Sequence, residues 1–248
     1  MNIADEATTA HLKACVQDCA TVASMSRQKV TQQINESCFK IWGLPKRIKI
    51  DNGHPFVIPG HLDIPTLSKL WWIGLSIEVV QNQLRCPQQN GAVECLQGVM
   101  KSWSNPKGQQ NIQRLQKRLD KESAFQRNHY QIPAKGNKTR IQLHPSLEDN
   151  PRKYDPRCFN INLVYSFLSE QVWQRTLDAG GVVRIMGASI YISYKLKKQP
   201  VTVTFDPIER KWVIQKENGA ILKTSTQGVP TEKQIKDFAI MSKNGVPT

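Results

Sequence analysis

The apolar positions of this chain recur with two different periods, and the change between them divides it. Within residues 26–42, Val30, Ile34, Cys38 and Ile41 repeat at three- and four-residue spacing, which places them on one face of a helix. Ser24 or Ser26 can cap its start, and Gly43 followed by Pro45 ends it. Residues 67–74 are patterned as a second helix, with Trp71 and Trp72 as core packing. The Pro-free segment 92–103 is a third. Residues 109–126 predict a fourth, with Ile112, Leu115, Leu119 and Phe125 as its apolar stripe. Short runs at 48–50 and 76–81 read as strands. Residues 133–156 are broken by Gly, Pro and charge and read as a linker. Residues 164–177 read as one helix ending at Gly180-Gly181.

Beyond that helix the period falls to two. Residues 182–194, 201–205 and 211–215 are β runs separated by turns at Gly187, Asp206-Pro207 and Asn218-Gly219. Four or five short strands within about fifty residues predict a small β-barrel. The expected organisation is 1–150 as a core with a basic helical extension, 151–178 as linker and helix, 179–227 as barrel and 228–248 as tail. No internal repeat is present.

Charge changes the picture. The net charge is +14, with 34 Lys and Arg against 20 Asp and Glu, and this points to a polyanionic partner. It is unevenly placed. Residues 1–100 hold 9 basic against 8 acidic residues, whereas residues 101–248 hold 25 against 12. From Lys101 to Arg140 there are 10 basic residues and 2 acidic ones. Arg114, Lys117, Arg118 and Lys121 lie around the polar sides of the 109–126 helix, where they can follow a DNA backbone or simply face solvent. Arg184, Lys195, Lys197, Lys198 and Lys211 give the β region a basic surface. The six cysteines form no CxxC or paired-His pattern and argue against a zinc site. With no apolar run approaching 18 residues and no signal segment, the chain reads as cytoplasmic, non-membrane and thiol-reduced.

Two carboxylates carry the candidate chemistry. Asp51 ends the 48–50 strand at an Asn52-Gly53 turn, and Glu94 lies just past Asn90-Gly91 near the start of the 92–103 helix. Hard oxygen ligands on neighbouring elements suit Mg²⁺ or Mn²⁺. Glu94, Gln97, Gly98 and Lys101 share a helix face, fit for metal and phosphate, although a solvated face explains the same spacing. His54 follows the turn, within reach of a metal, a phosphate or solvent. The loop 81–89 holds Arg85 and five amides, with Asn90-Gly91 as its hinge.

The pair Asp51-Asn-Gly-x-x-Phe56 and Pro87-x-x-Asn90-Gly-x-x-Glu94 resembles the second and third acidic motifs of the Asp-Asp-Glu transposase and retroviral-type integrase core, bacterial insertion-sequence branch. The resemblance covers roughly residues 5–103. It implies an α/β fold: an RNase H-like core, a mixed sheet flanked by helices, followed by a small SH3-like all-β barrel. It also implies metal-dependent cleavage and strand transfer of DNA, with two divalent ions held by three carboxylates. Asp51 and Glu94 would be two of these. Residues 10–16 resemble the family's third strand, so the first catalytic Asp, with its strand, is expected upstream of Met1; Asp5 or Asp18 are the alternatives within the chain. The DNA contacts would be Arg85, Asn90, Lys101, Arg114, Lys117, Arg118, Lys121, Lys195, Lys197 and Lys198. Partners would be double-stranded DNA and further copies of the chain, on the bacterial nucleoid. An inert DNA-binding remnant and a regulatory partner of a full-length enzyme are the alternative functions.

Overall fold

The computed structural model describes residues 1–16, 25–58, 61, 63–83 and 86–240. The chain divides into two compact units, each built from two segments: Met1–Pro55 with Val80–Tyr154, and Phe56–Val79 with Asp155–Thr248. In chain order the elements are β1 (Asn2–Ala4), β2 (His11–Ala14), α1 (Arg27–Ile34), α2 (Lys40–Trp42), β3 (Arg47–Ile50), α3 (Leu67–Gly74), β4 (Glu78–Gln81), α4 (Gly91–Ser104), α5 (Ile112–Asn128) and α6 (Arg140–Leu143). There follow α7 (Ile161–Ser169), β5 (Trp173–Thr176), β6 (Val182–Ile185), β7 (Ala188–Tyr191), β8 (Pro200–Asp206), β9 (Lys211–Gln215), β10 (Ile221–Ser225) and α8 (Glu232–Ala239).

The first unit is assembled around a hairpin and a helix. β1 and β2 pair antiparallel, with Asn2 opposite Ala14. Along β2, the side-chain amides of α5 take the place of a third strand. Gln126 accepts from the His11 N–H and donates to the Thr9 carbonyl, at 3.1 and 3.0 Å. Gln116 accepts from the Val16 N–H and donates to the Ala14 carbonyl, at 2.9 and 2.7 Å. The spacing allows this. Ten helical residues rise about 15 Å and five extended residues span about 16 Å, so each carboxamide meets a backbone N–H and C=O as a peptide unit would. α1 is capped by Ser26 and runs through a π-helical turn, Asn35–Phe39, into α2. Gly43 ends it at φ +78°, against Arg152 and Asn150. Residues 133–156 are not a bare linker. They form short turns and α6, and they bond back onto the unit through Asn150 to the Trp42 and Leu44 carbonyls and Arg140 to the Thr9 carbonyl.

The second unit has an aromatic core. α3, capped by Thr66, buries Leu70, Trp71 and Trp72 completely. Trp71 stacks on Phe159 at 5.0 Å, and a Cβ on Gly74 would fall 2.1 Å from that same ring, so the approach requires glycine there. β8 alternates inward Val201, Val203 and Phe205 with outward residues. Trp173, Phe205 and Trp212 pack edge to face beneath it.

The expected fold class is not what the chain adopts. β1–β2 and β3–β4 are separate two-stranded pairs rather than one mixed RNase H-like sheet. In the second unit, β10-β9-β8-β5 is an open four-stranded sheet, and β6–β7 is a hairpin apart from it. No barrel closes. After β5, Asp178 accepts the N–H groups of Gly180 and Val182, and Gly181 takes φ +75°, so the chain turns out of the sheet. Met186 and Gly187, both at positive φ, then fold β6 tightly onto β7. The expected 164–177 helix ends at Ser169. Its remainder becomes β5, because Trp173–Thr176 pair with Pro200–Val203.

Candidate nucleic-acid interface

In the first unit a chain of amides ties the end of β3 to the start of α4. The Asn82 N–H donates to the Ile50 carbonyl at 3.0 Å, and Asn52 Nδ2 donates to the Asn82 carbonyl at 2.9 Å. Gln81 donates to Asn52 Oδ1 at 2.7 Å, and Asn82 Nδ2 donates to Asn90 Oδ1 at the helix entry. Gln89 accepts the Gln83 N–H. Asn90 is thus occupied as a structural hinge within this network. Asp51 stands at its edge, exposed, with Oδ1 accepting the Gly53 N–H at 3.0 Å. Glu94 lies in the first turn of α4, also exposed, where the helix dipole favours a negative charge. Arg85 and Asp18 lie outside the described residues.

α4 buries Leu96, Met100 and Ser104 and leaves Glu94, Gln97, Gly98 and Lys101 exposed. It packs on α5 through Trp103, whose ring meets Phe125 at 5.7 Å and Tyr130 at 5.5 Å. On α5 the acids are already engaged. Asp120 pairs with Lys13 at 2.5 Å, and the buried Glu122 pairs with Arg118 at 2.8 Å. Arg118 is therefore half committed to its own helix. Arg114, Lys117 and Lys121 are exposed at i, i+3 and i+7, and make no ion pair among the described residues; Arg114 bonds only the neutral Gln110. With Lys101 and Lys107, also exposed, they make five cations open to an anionic partner. The stripe is about 10 Å long, roughly the axial length of three phosphates on one DNA strand.

Beneath that helix His11 is fully buried. Its Nδ1 lies 2.8 Å from Ser123 Oγ, which itself donates to the Leu119 carbonyl. Nε2 faces the Asn2 side-chain amide at 3.2 Å. Burial, then the Arg127 guanidinium and the chain's amino terminus, lower its pKa to about 4. This histidine is a neutral structural group.

The second unit carries the other expected cations. Lys195, Lys197 and Lys198 are exposed on the turn after β7. Arg184 pairs with Asp178 and Lys211 with Glu209, both at 3.5 Å, so these two are partly neutralised. Beside the lysines stand Tyr191 and Tyr194, 55% and 59% exposed, which the charge pattern did not single out. The alternation of β7, with Ile190 inward and Tyr191 outward, was the signal that marks Tyr191.

The chain matches no family model and no curated protein. With the open sheets described above, this overturns the resemblance to the Asp-Asp-Glu transposase and integrase core with a barrel after it. Its motif residues sit instead in an amide-linked turn and a first helical turn. Among the described residues no group of three or more His, Cys, Asp or Glu side chains is placed to hold a metal ion. Two exposed carboxylates do not fit a two-ion site, which needs more anionic ligands than this to hold two divalent charges together. No helix among the described residues is long and apolar enough to cross a membrane.

Proposed function

We propose that this protein binds double-stranded DNA by its phosphate backbone, as a non-catalytic DNA-binding or regulatory component. The carrying observation is the exposed cation stripe of α5, whose acids are turned aside into ion pairs with Lys13 and Arg118. Each phosphate neutralised by such a cation releases condensed counterions, which supplies affinity without reading sequence. The whole-chain charge of +14 acts in the same sense by attracting DNA from a distance.

The test is equilibrium binding of the full chain to unrelated duplexes. Charge reversal at Arg114, Lys117 and Lys121 is expected to weaken binding to all of them alike, because phosphate contacts position a protein without reading bases. Loss confined to one sequence, or no loss, would overturn the reading. The chain is also expected to show no Mg²⁺- or Mn²⁺-dependent nicking in a plasmid relaxation assay. Robust nicking abolished by Asp51→Asn would instead assign chemistry to the carboxylates.

A further inference from the structure

Outside α5, the strongest unassigned feature is the corner of the second unit formed by the end of β7 and the turn after it. We infer that this corner is a stacking site for unpaired bases of single-stranded DNA. The inference rests on the DNA-binding reading and specifies a substrate form for it.

Two large rings are left in solvent here although the fold has an apolar core to offer. Tyr191 is held outward by the strand alternation, and its hydroxyl accepts the Tyr194 N–H at 3.2 Å. Tyr194 opens the turn. Lys197 Nζ lies 3.1 Å from its hydroxyl and 4.5 Å from its ring centroid. Lys223 donates to the Tyr191 carbonyl at 2.8 Å and adds a fourth cation to Lys195, Lys197 and Lys198 at this corner. Residues 177–199 contain four basic residues and one acid, Asp178, which is engaged by Arg184. The platform is also stiff. Ser193 caps the turn through the Lys195 N–H, and the Ile192 N–H bonds the Gly181 carbonyl. Gly181 lies so close to the Ser193 carbonyl that a Cβ there would approach to 2.1 Å.

Rings fixed in solvent beside ammonium groups match the two exposed parts of a single strand, the base face and the phosphate. A duplex hides its base faces, so the tyrosines gain nothing from it. Stacking on an aromatic side chain contributes about 1–3 kcal/mol per base and tolerates any sequence.

The experiment is fluorescence anisotropy of the full chain with labelled oligo-dT of about 15 nucleotides, a length within known single-strand site sizes, and with a mixed-sequence duplex at the same salt. Tyr191→Leu and Tyr194→Leu are each expected to weaken oligo-dT binding by about tenfold, the fold-change for one lost stack, and to leave duplex affinity unchanged. Tyr194→Phe, which keeps the ring, should bind oligo-dT like the parent chain. Circular dichroism melts of each variant establish that it is folded. If the parent binds duplex but the leucine variants bind oligo-dT normally, or lose duplex and single strand equally, the stacking site is wrong and the backbone reading stands. If the parent binds neither, both fall.

Discussion

At the scale of single residues, two positions report on how tightly the units are built. His11 is neutral in the folded chain with a pKa near 4, against 6.5 when unfolded. Between those values the unfolded state binds more protons, so stability rises with pH across that window and is lost as pH falls from 6.5 towards 4. The loss from this group is on the order of 3 kcal/mol. Urea midpoints measured from pH 7 to 4 should therefore fall, and His11→Asn should flatten that dependence. An unchanged slope would place the histidine in a wetter setting than the one described. Gly74 reports on the second unit. Gly74→Ala drives a methyl into Phe159 and is expected to cost about 1–3 kcal/mol, read as a lower thermal midpoint with DNA affinity intact.

At the scale of elements, α5 is where sequence and structure part. The stripe Ile112, Leu115, Leu119 and Phe125 predicts an apolar inner face, yet Ile112 and Phe125 are each 44% exposed, whereas Glu122, Ser123 and Gln126 are buried. The helix turned because β2 presents backbone groups that need partners, and glutamine carboxamides supply them. Counting apolar residues cannot register that demand. Gln126→Ala leaves the His11 N–H and Thr9 carbonyl without their partner, and is expected to destabilise by about 1–3 kcal/mol in chemical unfolding. A neutral result would mean that water replaces the amide there. Elsewhere local signals sufficed. α3 spans Leu67–Gly74 as its pattern predicts, with Trp71 and Trp72 fully buried, and β8 and β9 fall on the two β runs read from alternation. β5 was missed because Trp173–Thr176 are strand only through pairing with β8, a partner about thirty residues on.

At the scale of the whole molecule, most strand positions were legible but their closure was not. Open and closed arrangements of the same short strands share one alternation, and the choice here is made by positive-φ residues at Gly181, Met186 and Gly187. The acidic motifs misled for a similar reason. Asp51-Asn52-Gly53 and Asn90-Gly91 are turn and helix-entry chemistry in their own right, and the amides beside them bond to one another. The charge imbalance is the sequence feature on which the proposed function rests, because exposed lysines need no partner within the chain. The most direct test is a salt titration of full-chain binding to duplex DNA. If Lys101, Lys107, Arg114, Lys117 and Lys121 all reach phosphates, log K against log salt should fall with a slope of about −4.5, and by about one less for each of these cations removed. An affinity that barely changes from low to physiological salt would contradict a protein held on DNA by its phosphates.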